Sequence, residues 1–202
     1  MKPEIVLAVS LFAFVTSITP GPNNLMLLAS GVNFGFRATL PHMFGIGCGL
    51  LTLVLAVGLG LAEAFARLPW LFSVLRWMGA AYLLYLAWRI ATSGPPDEPS
   101  SSVRSAKPMS FWQAAAFQWV NPKVWVMTMS TFSTYVPASS GSGVIVAIAT
   151  LFVLISLPSV SIWTLFGSGL RQILQVRRNL VIFNYSMAAA LMLSLYPLLK
   201  AI

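Results

Sequence analysis

Two short stretches carry most of the chain's polar chemistry: Thr19-Pro20-Gly21-Pro22-Asn23-Asn24 and, a hundred residues later, Asn121-Pro122-Lys123. Both interrupt runs that are otherwise apolar. Proline lacks a backbone donor and its ring clashes with the preceding turn, so each stretch breaks a helix. In hydrocarbon an unpaired carbonyl is costly, and broken backbone persists only against protein or a water-filled cavity. Asn23 and Asn24 carry amides able to satisfy backbone groups freed by the break. Lys123 brings an ammonium into a run with no acidic partner, because the four acids are Glu4, Glu63, Asp97 and Glu98. An intramembrane ammonium faces a cavity or a counter-ion. The chemistry on offer is recognition of a carboxylate, which Lys123 and the positive N-terminal ends of the half-helices would take. Two plainer readings stay open at this point: a proline kink without a ligand, and a lysine that snorkels to an interface along its aliphatic stem.

Other reactive side chains are scarce. His42 is the single histidine and Cys48 the single cysteine. One of each cannot make a metal site, a dithiol or a supported Cys–His pair. No phosphate-binding loop is present, so neither an enzyme nor a nucleotide-driven pump is expected, and no cofactor or metal. His42 follows Pro41 near the start of an apolar run. It reads as an interfacial structural histidine, although it could titrate near neutral pH. Cys48 reads as a small residue packed inside a span. Gly45 and Gly49 have the small-xxx-small spacing that lets helices approach closely. Ser156, Pro158, Ser159 and Ser161 form a kinked polar stretch. It could line a pathway, but serines bonding to their own helix are the preferred reading.

The elements that position these groups follow from composition. Of 202 residues, 58% are hydrophobic and 8% charged, and mean hydropathy is +0.84. Soluble domains carry about 25% charged residues, so this is an integral membrane protein. Its net charge of +8 suits topology signals and anionic headgroups rather than nucleic acid, for which no motif speaks. Six apolar segments approach spanning length, at about 5–28, 39–62, 69–92, 109–135, 143–168 and 179–201. The first is expected to be a retained span rather than a cleaved leader, since Glu4 spoils the basic start and LMLLAS continues the apolar run. The stretch 93–108 (SGPPDEPSSSVRSAKP) is the only long polar segment and reads as a loop.

This loop divides the chain into halves, 1–92 and 109–202, of three spans each. With an odd number of spans per half, the two would be inverted repeats. The first span of each half holds one of the two breaks, which supports that reading. The fold class expected is therefore an all-α integral membrane protein with six transmembrane helices as two inverted three-helix repeats, helices 1 and 4 broken. Arg37, Arg89, Arg104, Lys107, Arg171, Arg177 and Arg178 fall on one side; Lys2, Arg67, Arg76 and Lys200 fall on the other. The basic excess places loops 1–2, 3–4 and 5–6 in the cytoplasm and both termini outside. Trp70, Trp77 and Trp88 suit interfacial anchoring of the third span.

TPGPNNLMLLASGVNFGFRATLPHMFGIGCG (19–49), WMGAAYLLYLAWRI (77–90) and SFWQAAAFQWVNPKVWVM (110–127) together resemble the lysine-exporter/homoserine–threonine-resistance (LysE/RhtB) family of amino-acid exporters. The resemblance covers residues 1–130; beyond that only hydropathy is similar. It implies an inner-membrane exporter of amino acids driven by an ion gradient, with H+ as the expected coupling ion, and often a homodimer. The region 110–127 looks most like the branch that exports cysteine and O-acetylserine. Carried over, the family motif falls on Pro20, Gly21, Pro22, Asn23, Asn121, Pro122 and Lys123, with Asn24 adjacent. The expected function is export of small neutral amino acids or derivatives, of cysteine, O-acetylserine, homoserine or threonine type, by alternating access. With such a ligand, Lys123 would take the carboxylate, and carbonyls freed at residues 16–19 and the Asn23 side chain would take the ammonium. Scarce buried acids disfavour a dicationic substrate. Two rivals remain: a membrane scaffold that moves no solute, and a thiol-redox carrier, against which a single cysteine argues.

Overall fold

The computed structural model describes residues 2–68, 70–93, 107–137, 140–174 and 176–196. Among these residues every regular element is helical. The expected loop falls mostly at 94–106, outside the described residues, as does Lys200.

Helix α1 (Pro3–Ile18) and helix α2 (Pro22–Phe34) form the first segment, bent by 53° at their joint. The cause is local. Pro20 and Pro22 push the residues before them out of the helical region. Thr19 sits at φ −64°, ψ 145° and Gly21 is fully extended. Pro22 then starts α2, where a missing N–H matters least. Helix α3 (Phe36–Ala56) begins one residue after α2, across Gly35 at φ 84°. The connection between the first two expected segments, 29–38, thus shrinks to a single glycine whose positive φ other residues adopt at a cost. A π-helical turn, Val57–Leu61, with Gly60 at φ 112°, leads into α4 (Ala62–Arg67).

Helix α5 (Trp70–Ala91) is the third segment, with Trp70, Trp77 and Trp88 on its exposed face. Helices α6 (Phe111–Val120) and α7 (Pro122–Tyr135) form the broken fourth segment, joined through Asn121 alone. A capping box between Ser110 and Gln113 starts α6. Helix α8 (Ser142–Ile173) runs for 32 residues through Pro158, and α9 (Arg177–Leu193) completes the described chain.

Among the described residues three helices are long and apolar enough to cross a membrane: Phe36–Phe65, Trp70–Ala91 and Ser142–Ile173. The bent pair α1–α2 makes a fourth if it counts as one span. The remaining expected segments are helical but shorter, α9 having 17 described residues and α6 only 10. The result is an all-helical, multi-pass membrane protein.

Helix α2 lies along α8, α3 packs against both α6 and α8, and α5 packs against α9. Where α2 crosses α8, Gly31 and Gly167 bring the two backbones together. A Cβ on either would overlap a carbonyl of the facing helix, Thr164 or Leu28. Gly45 and Gly49 do the same for α3 against α6, facing the carbonyls of Phe111 and Ala115. Their small-xxx-small spacing serves packing, as the sequence suggests. One apolar cluster joins α2, α3, α5, α6 and α9 with Val160 of α8; a second joins α1, α3, α4, α7 and α8. Both breaks lie at the seam between them.

Candidate functional site

The break between α1 and α2 exposes the last carbonyls of α1, which have no partner within the helix. All four find one. Thr19 Oγ1 donates to the Thr16 carbonyl at 3.0 Å. Asn24 Nδ2 donates to the carbonyls of Ser17 and Thr19, each at 2.8 Å. Trp163 Nε1 of α8 donates to the Ile18 carbonyl at 3.0 Å. Asn24 therefore does what its position predicts, closing freed backbone locally. Trp163 has no sequence signature, because its partner lies 145 residues away.

Lys123 completes the set. Its Nζ lies 2.8 Å from the Thr19 carbonyl, 3.0 Å from Thr19 Oγ1 and 3.4 Å from the Pro20 carbonyl. Three oxygens match the three donors of an ammonium, at the negative end of the α1 dipole. Helix α7 aims the side chain there because Asn121 caps it, Oδ1 accepting from the Lys123 N–H at 3.1 Å. Lys123 spans two breaks 104 residues apart. The ammonium and the freed carbonyls, expected to hold opposite ends of a ligand, here hold each other. Gly21 is the close approach that permits it: a Cβ there would meet Lys123 Cδ at 2.9 Å and Nζ at 3.0 Å.

A second bridge runs between the breaks. Asn23 Nδ2 donates to Gln118 Oε1 at 2.7 Å, and Gln118 Nε2 returns a bond to Asn23 Oδ1 at 3.2 Å. Gln118 is fully buried and also donates to the Ala114 carbonyl at 2.9 Å. The sequence reading misses Gln118, which sits one turn before the second break. A polar residue that deep in an apolar helix is the signal that could have found it.

These groups border a small open cavity lined by Asn23, Asn24, Gln118, Asn121, Lys123 and Ser156, with Ile46, Leu50 and Val160 as apolar walls. Pro20, Pro22 and Pro122 face the other way, into a wide apolar groove with Phe72, Leu75 and Arg76 of α5. Gly21 and Lys123 border both spaces. The predicted site residues thus divide into an amide side and a proline side, with the lysine between.

Among the serines of α8, Ser156 and Ser161 bond to the carbonyls of Val153 and Leu157. Ser159 Oγ is buried without a partner, as is Thr128 Oγ1 on α7. Two other expectations are corrected. Cys48 is exposed on α3, not packed. His42 is 2% exposed with neither ring nitrogen bonded, not interfacial.

The family model described as LysE type translocator matches residues 14–196. The chain belongs to the LysE family. Within the family it is similar to a protein named cysteine/O-acetylserine efflux protein from Salmonella choleraesuis (strain SC-B67), with 33% identity over 169 residues, 83% of this chain and 84% of the relative. The like-named protein of Escherichia coli (strain K12) is 34% identical over the same shares. No solved structure matches. The match extends well past residue 130, so the last third of the chain, including Trp163 and α9, is part of this LysE translocator.

Proposed function

We propose that this LysE-family chain is a secondary transporter that exports small neutral amino acids or their derivatives, of cysteine or O-acetylserine type, across the bacterial inner membrane. The observation that carries the reading is the ammonium cradle at the broken spans, Lys123 on the carbonyls of Thr19 and Pro20. The names of the relatives point to the substrate class.

A zwitterion inserted between Lys123 and the cradle satisfies both at once. Its ammonium replaces Lys123 on Thr19, and its carboxylate pairs with the displaced Lys123 ammonium. The zwitterion adds no net charge to the site. Asn23 and Gln118 line the same space and orient the ligand through their amides. Because Lys123 borders both the amide cavity and the proline-side groove, its displacement opens one to the other, which is a gating step.

Alternating access follows from rocking of two inverted three-helix halves, 1–92 and 109–202. Helices α1–α2 and α6–α7 would be equivalent broken spans, α3 would match α8, and α5 would match α9. Contact of α3 with α8 and of α5 with α9 supports the pairing. The basic loops at Arg37, Arg89 and Lys107 would be cytoplasmic. H+ is the proposed coupling ion, and a homodimer the proposed assembly.

The test is efflux of L-cysteine and O-acetyl-L-serine from loaded proteoliposomes, with a parallel set in which the pH gradient is collapsed. Flux is expected with wild type, and loss of flux with Lys123→Ala or Asn23→Ala at equal insertion. Wild-type flux from either variant removes the site. Flux that is indifferent to the pH gradient removes H+ coupling.

A further inference from the structure

The interior holds a second cavity that the zwitterion mechanism does not use. It is small and open, lies further along α2, and is lined by Ser30, Asn33, His42, Arg89 and Lys107. Its polar walls differ in one respect. Ser30 is bonded to Thr39 at 2.8 Å. Asn33 exchanges bonds with Asn184 at 2.9 and 3.2 Å. His42 alone has no partner on either ring nitrogen, although it is 2% exposed. A buried imidazole offers one donor and one acceptor, and leaving both unmet is unfavourable. Something polar fits beside it.

The charges say what kind of group. Arg89 of α5 and Lys107 both border the cavity, and among the described residues no acidic one does. Arg89 is held in place, Nη2 donating to the Lys107 carbonyl at 2.9 Å, with its guanidinium carbon 6.0 Å from the Tyr85 ring centroid. One of the five guanidinium N–H groups is committed to that carbonyl, which leaves most of the fork for a planar carboxylate.

The two cavities are in line. His42, Ile46 and Leu50 are spaced by four and lie on one face of α3; the first lines the second cavity and the other two line the cavity at the breaks. On α2, Asn23 and Asn24 serve the break cavity and Ser30 and Asn33 the other. At about 1.5 Å per residue, the two sets are separated by roughly 10 Å along each helix.

We propose that the second cavity is a loading-side site for the same class of ligand, an α-amino-acid zwitterion on its way to the break cavity. Its carboxylate pairs with Arg89 and Lys107, and its ammonium donates to the neutral imidazole of His42. The proposal rests on the export reading above, and the positive side of the protein makes this the cytoplasmic end.

Equilibrium binding of radiolabelled L-cysteine, kept reduced, to the purified full chain in lipid-free detergent tests it, with flux in proteoliposomes measured alongside. About two equivalents per chain are expected for wild type. Lys123→Ala and His42→Leu should each retain about one, and the double variant none. The equivalent that survives in His42→Leu shows that the variant is folded. Arg89→Gln, at a half-buried position, is the second variant and should weaken the second equivalent about tenfold, as for one lost charge-assisted bond. In flux, both raise the loading-side concentration needed for half-maximal rate. A single Lys123-dependent equivalent in wild type, unchanged by His42→Leu and Arg89→Gln, overturns the second site and leaves export standing. Loss of both equivalents in His42→Leu with both kept in Arg89→Gln also overturns it. Absence of binding and flux in every protein removes the export reading and this site with it.

Discussion

The bridge between the two breaks makes a quantitative test. Asn23→Val leaves Gln118 Oε1 without its 2.7 Å donor at a residue with no exposed surface. An orphaned buried acceptor costs about 1–3 kcal/mol. Gln118→Leu is the milder change, because Asn23 is half-buried and lines a cavity where water can replace the lost bonds. It should cost about 0.5–1.5 kcal/mol. In the double variant no orphan remains, since both partners have become apolar. Measured side-chain hydrogen bonds between membrane helices average about 0.6 kcal/mol and reach about 1.7. Two reciprocal bonds with a fully buried partner belong in the upper half of that range, so a coupling of about 1 kcal/mol is expected. The assay is reversible unfolding of the four proteins in mixed micelles, followed by far-UV circular dichroism. The double variant should be about 1 kcal/mol more stable than the sum of the single losses predicts. Additivity to within about 0.3 kcal/mol would refute the bridge. All three variants should lose flux, because the amides are also needed by the ligand.

Two further outcomes follow from the same geometry. Gly167→Leu overlaps the Leu28 carbonyl where α2 crosses α8. It should destabilise by about 1–3 kcal/mol, whereas Gly169→Ala, with nothing within 4 Å of the added Cβ, should not; thermal unfolding in detergent compares them. Cys48 is exposed on α3, so Cys48→Ser should leave flux within about twofold of wild type, a change under 0.5 kcal/mol. Complete loss of flux in that variant would revive a thiol-redox role.

The breaks are legible in the sequence because proline acts on its own backbone and on the residue before it. Thr19, Gly21 and Asn121 adopt extended backbone where Pro20, Pro22 and Pro122 require it. Asn24 is legible for the same reason, its partners lying five and seven residues away. Gln118 and Trp163 are not, because their partners come from segments 95 and 145 residues distant. The errors at His42 and Cys48 have a different origin. A soluble helix marks its inner face with apolar residues. In lipid the outer face is apolar too, and packing rather than hydrophobicity selects the inner one. On α3 the inward face is marked instead by Gly45 and Gly49, which need contact with α6. His42, three residues before Gly45, falls on the inward side, and Cys48 falls on the outer one. Reading α3 from its glycines would have placed His42, but not Cys48, which lies equally three residues from Gly45.

The cradle also sets the selectivity of the proposed cycle. The Lys123 ammonium already occupies the carbonyls of Thr19 and Pro20. A ligand must therefore bring its own ammonium to the carbonyls and a carboxylate for the lysine it displaces. An amine without a carboxylate would leave Lys123 without a counter-ion, and an acid without an amine would leave the cradle empty. A second cation on the side chain would need an acidic partner, and among the described residues none lines the break cavity. Desolvating an unpaired charge is the dominant penalty in such a site. The arrangement that holds the broken spans together is thus the same one that would reject lysine and admit cysteine.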